Sequence, residues 1–120
     1  IKVDALIPLP LFPAKEKRRG YNQATLLCKG MAEAMNIPVI DNAIIRPQHT
    51  ETQTSKGRIE RWKNMEGKFV LDNPDAIKNK HLLLVDDIVT TGATLEACGN
   101  ELLKGENVKL SLATLCIASR

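Results

Sequence analysis

The chain has 120 residues, of which 43% are hydrophobic and 26% charged, with a formal net charge of +3. That size and balance suit one soluble globular domain, able to bury about two-thirds of its unfolded surface without a metal or disulfide scaffold. They argue against a membrane-spanning chain, because no apolar run approaches the roughly 18 residues a span needs. They also argue against a single-strand nucleic-acid platform, because Phe12, Tyr21, Trp62 and Phe69 are the only aromatics.

Cys28, Cys98 and Cys116 lie far apart, without a C-x-x-C pair. They read as small buried hydrophobes in a reducing, cytoplasmic compartment. No signal peptide is recognisable. The chain begins at Ile1 close to a strand, which is compatible with a piece of a longer protein. Charge is unevenly spread. Residues 1–20 carry five basic and two acidic side chains, residues 46–68 six and three, and residues 81–120 three and five. This suits a polyphosphate held partly by cations and partly through a metal, against the plainer alternative of solvated surface charge.

Val3 to Pro8 is predicted to form a short strand. Three prolines in Pro8-Leu9-Pro10-Leu11-Phe12-Pro13 forbid its continuation as helix or central strand. A basic run from Lys15 to Arg19 leads to a turn at Gly20 and to Asn22 as a helix N-cap. Ala24, Leu27, Cys28, Met31, Ala32 and Met35 then recur on one helical face, ending before Pro38. Val39 to Ile45 is predicted to hold a strand. Arg46 to Lys56 is polar without an apolar anchor, a pattern of active-site lids and disordered segments. His49 within it reads as a loop residue rather than an acid–base group. Gly57 to Met65 predicts a short helix, Phe69 to Leu71 a short strand, and Asn73-Pro74-Asp75 a turn.

Leu82 to Val85 reads as a buried strand that ends at Asp86-Asp87. Ala93 to Lys104 reads as the following helix, with Leu95, Cys98, Leu102 and Leu103 inward and Gly105 as its stop. Val108 to Leu115 alternates as a final strand. The order β-α-β-(α)-β-β-α-β predicts an α/β fold, a mostly parallel twisted sheet flanked by helices, with residues 1–120 forming a single domain.

Adjacent carboxylates at a strand end supply acceptors for sugar hydroxyls and, directly or through water, for a divalent cation. The plainer alternative is a turn or capping pair. Thr90, Thr91, Gly92, Ala93 and Thr94 open the next helix, where free N–H groups and the dipole favour an anion. Simple capping by Thr91 or Thr94 is the alternative there. A nucleoside triphosphatase would need a G-x-x-x-x-G-K-[ST] loop, and the chain has none. A phosphoacceptor receiver would need an aspartate at a later strand end, also missing.

Val85-Asp86-Asp87-Ile88-Val89-Thr90-Thr91-Gly92-Ala93-Thr94 resembles the phosphoribosyl-diphosphate (PRPP) motif of type I phosphoribosyltransferases. Ile7-Pro8-Leu9-Pro10-Leu11 followed by Arg18-Arg19-Gly20-Tyr21-Asn22-Gln23-Ala24 is similar to the matching stretches of the ComF/GntX branch. Thr52-Gln53-Thr54 with Arg58, Arg61 and Asn64 resembles a third stretch of that branch, at looser spacing. The branch is related to the phosphoribosyl half of amidophosphoribosyltransferase. Its members commonly carry an N-terminal four-cysteine zinc module, which this sequence lacks.

The resemblance implies a type I phosphoribosyltransferase core that transfers ribosyl-5-phosphate from PRPP to an acceptor and releases diphosphate. It implies Asp86 and Asp87 on the ribose hydroxyls, with Mg²⁺ brought through them and PRPP. It implies the Thr90–Thr94 loop on the phosphate. Pro10, Leu11 and Arg19, with Arg18 beside it, would form the diphosphate side. Arg58, Arg61 and Asn64 would face the leaving group. The alternative it leaves open is a non-catalytic PRPP- or nucleotide-sensing module, or a partner of DNA-uptake proteins in competence. A homodimer is also open; no membrane partner is expected.

Overall fold

The computed structural model describes residues 2–11, 22–47, 69–89 and 92–117. Its elements run β1 (Ala5–Pro8), α1 (Gln23–Met35), β2 (Ile44–Ile45), β3 (Val70–Leu71), a 3-10 turn (Pro74–Ala76), β4 (His81–Val89), α2 (Ala93–Leu102) and β5 (Lys109–Ile117). β1, β4 and β5 form a parallel sheet with β4 in the middle, in register Ala5↔Leu82 and Leu82↔Leu110. β2 and β3 pair antiparallel as a separate ribbon, Ile44 opposite Leu71.

Alternation along the strands divides the core in two. Ala5, Ile7, Leu82 and Leu84 turn to one face, where they meet Leu95, Cys98 and Leu102 of α2 and Ala43, Ile44 and Phe69 from around the ribbon. Leu6 and Val85 turn to the other, against Cys28 with Leu27, Met31 and Ala32 of α1. Each fully buried leucine or isoleucine contributes roughly 1.5–3 kcal/mol. The layers are therefore α1, sheet, and α2 with the ribbon. This is the expected α/β class, with a parallel main sheet.

Several boundaries depart from expectation. β4 does not stop before the acidic pair. It runs on to Val89, because Asp86, Ile88 and Val89 all find register partners on β5, at Thr114, Cys116 and Ile117. Non-local pairing and two β-branched residues outweigh the turn preference of Asp-Asp. The expected strand over Val39 to Ile45 breaks into two uses. Val39 bridges Leu6 beside β1, and only Ile44–Ile45 pair with β3.

α2 ends at Leu102, earlier than Lys104, and Gly105 is not a left-handed stop; Asn107 takes the positive φ of 53° instead. Gly105 is needed for space: a Cβ there would lie 2.8 Å from Val108 Cγ2 and 3.1 Å from Ile77 Cδ1. Met35 and Leu103 fit the apolar spacing but are about half exposed, at 47% and 48%. Each sits at a helix C-terminus. The expected helix over Gly57 to Met65 lies outside the described residues.

Candidate functional site

Asp86 keeps the alternation of Leu82 and Leu84, so it leaves the core on the α2 side. Its Oδ1 accepts the backbone N–H of Asp87 at 2.9 Å. Burial pushes its carboxyl up to about 6, helped by a side-chain hydrogen bond with Asp87 and the charge of that neighbour. The Asp87 N–H and the Arg46 guanidinium pull the other way without reversing the rise. Thr114 on β5 donates from Oγ1 to the Asp87 carbonyl at 3.5 Å, a long contact. The acidic pair is thus built into the sheet rather than hanging from its end.

Arg46 was not singled out by the sequence, where it reads as the first residue of a polar stretch. It follows Ile45 of β2 directly, and its guanidinium carbon lies 5.3 Å from the centre of the Phe69 ring. That is within cation–π range. Burial lowers its pKa, while the Cys98 thiol and the Asp86 carboxyl hold it up. An arginine immediately after an apolar pair was the signal; its partners Phe69 and Asp86 are remote in sequence.

Gly92 starts α2. Its φ of 80° is left-handed, and as the N-cap it has no side chain to cap the helix. Capping by Thr94 is therefore not how this helix begins. A Cβ on Gly92 would meet nothing within 4 Å, so the glycine is required by its backbone angle and has open space beside it. Thr94 is half-buried and Ala93 exposed on the same first turn.

On the other flank the Leu9 N–H donates to the Val85 carbonyl at 2.8 Å, so Pro10 and Leu11, both half-buried, leave β1 at the same carboxyl edge of the sheet. The structure thus gathers Asp86, Asp87, Gly92, Ala93, Thr94, Pro10 and Leu11 at the carboxyl edge of the sheet, with Arg46 added. Thr90, Thr91, Arg18, Arg19, Arg58, Arg61, Asn64 and His49 lie outside the described residues.

Among the described residues no group of three or more His, Cys, Asp or Glu could hold a metal by itself. Two carboxylates fit Mg²⁺, which commonly takes one or two protein carboxylates and completes its shell with ligand phosphates and water. A groove of about 420 Å³ between α2 and β5 touches this edge only at Gly92 and Thr114, and neither acid lines it. Among the described residues no helix is long and apolar enough to cross a membrane.

The model of the phosphoribosyl transferase domain matches residues 21–120. Competence protein F of Haemophilus influenzae is 36% identical over 102 residues, covering 84% of this chain and 44% of its own length. DNA utilization protein YhgH of Escherichia coli O157:H7 is 32% identical over 113 residues, covering 94% and 49%. The chain thus spans about half the length of these curated relatives. Among solved structures, the glutamine PRPP amidotransferase of B. subtilis superposes with a TM-score of 0.62 at 18% identity, over 96% of this chain and 23% of that one.

Proposed function

Because the chain belongs to the phosphoribosyl transferase domain family, we propose that it binds PRPP at the carboxyl edge of the sheet and transfers ribosyl-5-phosphate to an acceptor, with release of diphosphate. The observation that carries this is the junction of β4 and α2. Two adjacent carboxylates, the first accepting the second residue's backbone N–H at 2.9 Å, stand beside a helix N-terminus that a left-handed glycine opens. Carboxylates suit ribose hydroxyls; the helix N-terminus suits a phosphate.

Asp86 and Asp87 would hold the ribose and, with the ligand's oxygens, a Mg²⁺ ion. When bound, that ion would neutralise charge on the diphosphate. α2 would orient the 5′-phosphate through its first turn. Pro10 and Leu11, with Arg18 and Arg19, would bound the diphosphate, and Arg58 and Arg61 would meet the charge that develops as it leaves. The transition state is oxocarbenium-like, so positioning and electrostatic stabilisation do most of the work.

A second reading keeps the site and drops the turnover: a PRPP-binding module acting with proteins of DNA uptake. The names of the two relatives, competence and DNA utilization, favour keeping it in view. Calorimetric titration of PRPP with and without Mg²⁺ tests the shared premise. Wild type should bind more tightly with Mg²⁺, and Asp86→Asn/Asp87→Asn should bind at least about tenfold more weakly. Unchanged affinity in the double variant sinks the site. Diphosphate release across an acceptor panel then separates enzyme from module.

A further inference from the structure

Asn22 is buried, with 7% of its surface exposed, and both ends of its amide are hydrogen-bonded. Its Oδ1 accepts the backbone N–H groups of Ala24 at 2.9 Å and Thr25 at 3.3 Å, closing the first turn of α1. Its Nδ2 donates to the Leu9 carbonyl at 3.1 Å. Leu9 in turn donates its N–H to the Val85 carbonyl at 2.8 Å, the residue before Asp86. One line of hydrogen bonds therefore runs from the start of α1, through Asn22 and Leu9, to the strand that carries the acidic pair.

A cap needs only an acceptor, which serine, threonine or aspartate supplies as well as asparagine. The donor on the same side chain is the extra requirement, and asparagine alone among these caps carries an amide N–H at that reach. The two helices that start at this edge also differ. Two first-turn N–H groups of α1, those of Ala24 and Thr25, are taken by the Asn22 side chain, whereas α2 has at its N-cap a glycine, with no side chain to cap it. α1 is thus a support for this edge and α2 the end suited to an anion.

We propose that Asn22 is a positioning residue for the diphosphate side of the PRPP site: its amide ties the start of α1 to Leu9 and so holds the residues that follow Leu9, Pro10 and Leu11, at the carboxyl edge that carries Asp86. This rests on the PRPP reading above. Asn22→Ser keeps a neutral cap and removes the amide N–H, leaving only a shorter hydroxyl that is engaged in the cap. Asn22→Asp keeps a strong cap and sets a second acceptor against the Leu9 carbonyl.

Affinities for PRPP and for ribose 5-phosphate, which lacks the diphosphate, are measured by calorimetry with Mg²⁺ at a temperature where circular dichroism shows each protein folded. Both variants should bind PRPP about tenfold more weakly, as expected for a lost buried hydrogen bond, and ribose 5-phosphate nearly as wild type does. PRPP affinity within about twofold of wild type, or an equal loss for both ligands, overturns the positioning role. So does failure of both variants to fold. Wild type that binds no PRPP overturns the PRPP reading instead, and this inference with it.

Discussion

Asp86 and Asp87 are hydrogen-bonded to each other through both backbone and side chain, the Asp87 N–H lying 2.9 Å from Asp86 Oδ1. One carboxyl is thereby held half-buried, facing an arginine, and retains its proton well above the usual carboxylate range.

That proton makes stability depend on pH. The folded pKa of Asp86, about 6, lies above its unfolded value of about 3.9. The folded state therefore binds the proton more tightly. Its stabilising contribution is complete below about pH 4 and is lost as pH rises through about 6. Asp86→Asn should be more stable than wild type by about 1 kcal/mol near neutral pH, after discounting for solvent screening at a half-buried site. The advantage should vanish near pH 4. Urea unfolding at both pH values checks this, and a pH-independent difference would refute it.

Arg46 should set part of that pKa. Arg46→Ala removes a positive charge that pulls the Asp86 carboxyl down, so its titration should move above about 6. Arg46→Lys should restore part of the shift, since it keeps the charge but not the planar face over Phe69. Carboxyl-carbon chemical shifts followed against pH give the answer. A titration unmoved by Arg46→Ala would detach Arg46 from the site.

Gly92→Ala should cost about 1 kcal/mol through its left-handed φ of 80°, and little through crowding, because the added methyl meets open space. That methyl would occupy space where the phosphate is proposed to sit. Affinity for PRPP should therefore fall beyond what the loss of stability explains, as calorimetry and thermal unfolding on the same sample would show.

Two other glycines rank differently. At Gly99 the added Cβ would lie 2.8 Å from Leu110 Cδ2, the far end of a flexible, half-buried side chain that can give way. At Gly105 it meets Val108 Cγ2, Ile77 Cδ1 and the Leu102 carbonyl oxygen together. Gly105→Ala should cost about 1–3 kcal/mol and Gly99→Ala clearly less, since a helical alanine also gains propensity. Equal unfolding midpoints for the two variants would contradict this ranking.

The sequence made the two described helices, the class of the sheet and the acidic motif readable, because apolar spacing is a local property. Leu27, Cys28, Met31 and Ala32 turn inward as their period requires. What it hid depended on distant partners. β4 extends past Asp87 because β5 offers a ladder, and no local turn signal reports that. Arg46 looked like loop because Phe69 and Asp86, which make it a site residue, are brought to it only by folding. Asn22 was legible as a cap, but its bond to the Leu9 carbonyl was not.

Among the described side chains, the division of the core by the sheet leaves one thiol in each half. Cys28 lies in the α1 layer and Cys98 in the α2 layer; both are free and fully buried. Burial pushes each up to about 12, so neither reacts until its own layer opens. With Cys116 replaced by alanine, the chain becomes a two-channel clock of its own breathing. Cys28 times the loosening of α1, and Cys98, within electrostatic reach of Asp86 and Arg46, times the side where the ligand is proposed to bind. Ligand binding at that edge should slow the second clock more than the first.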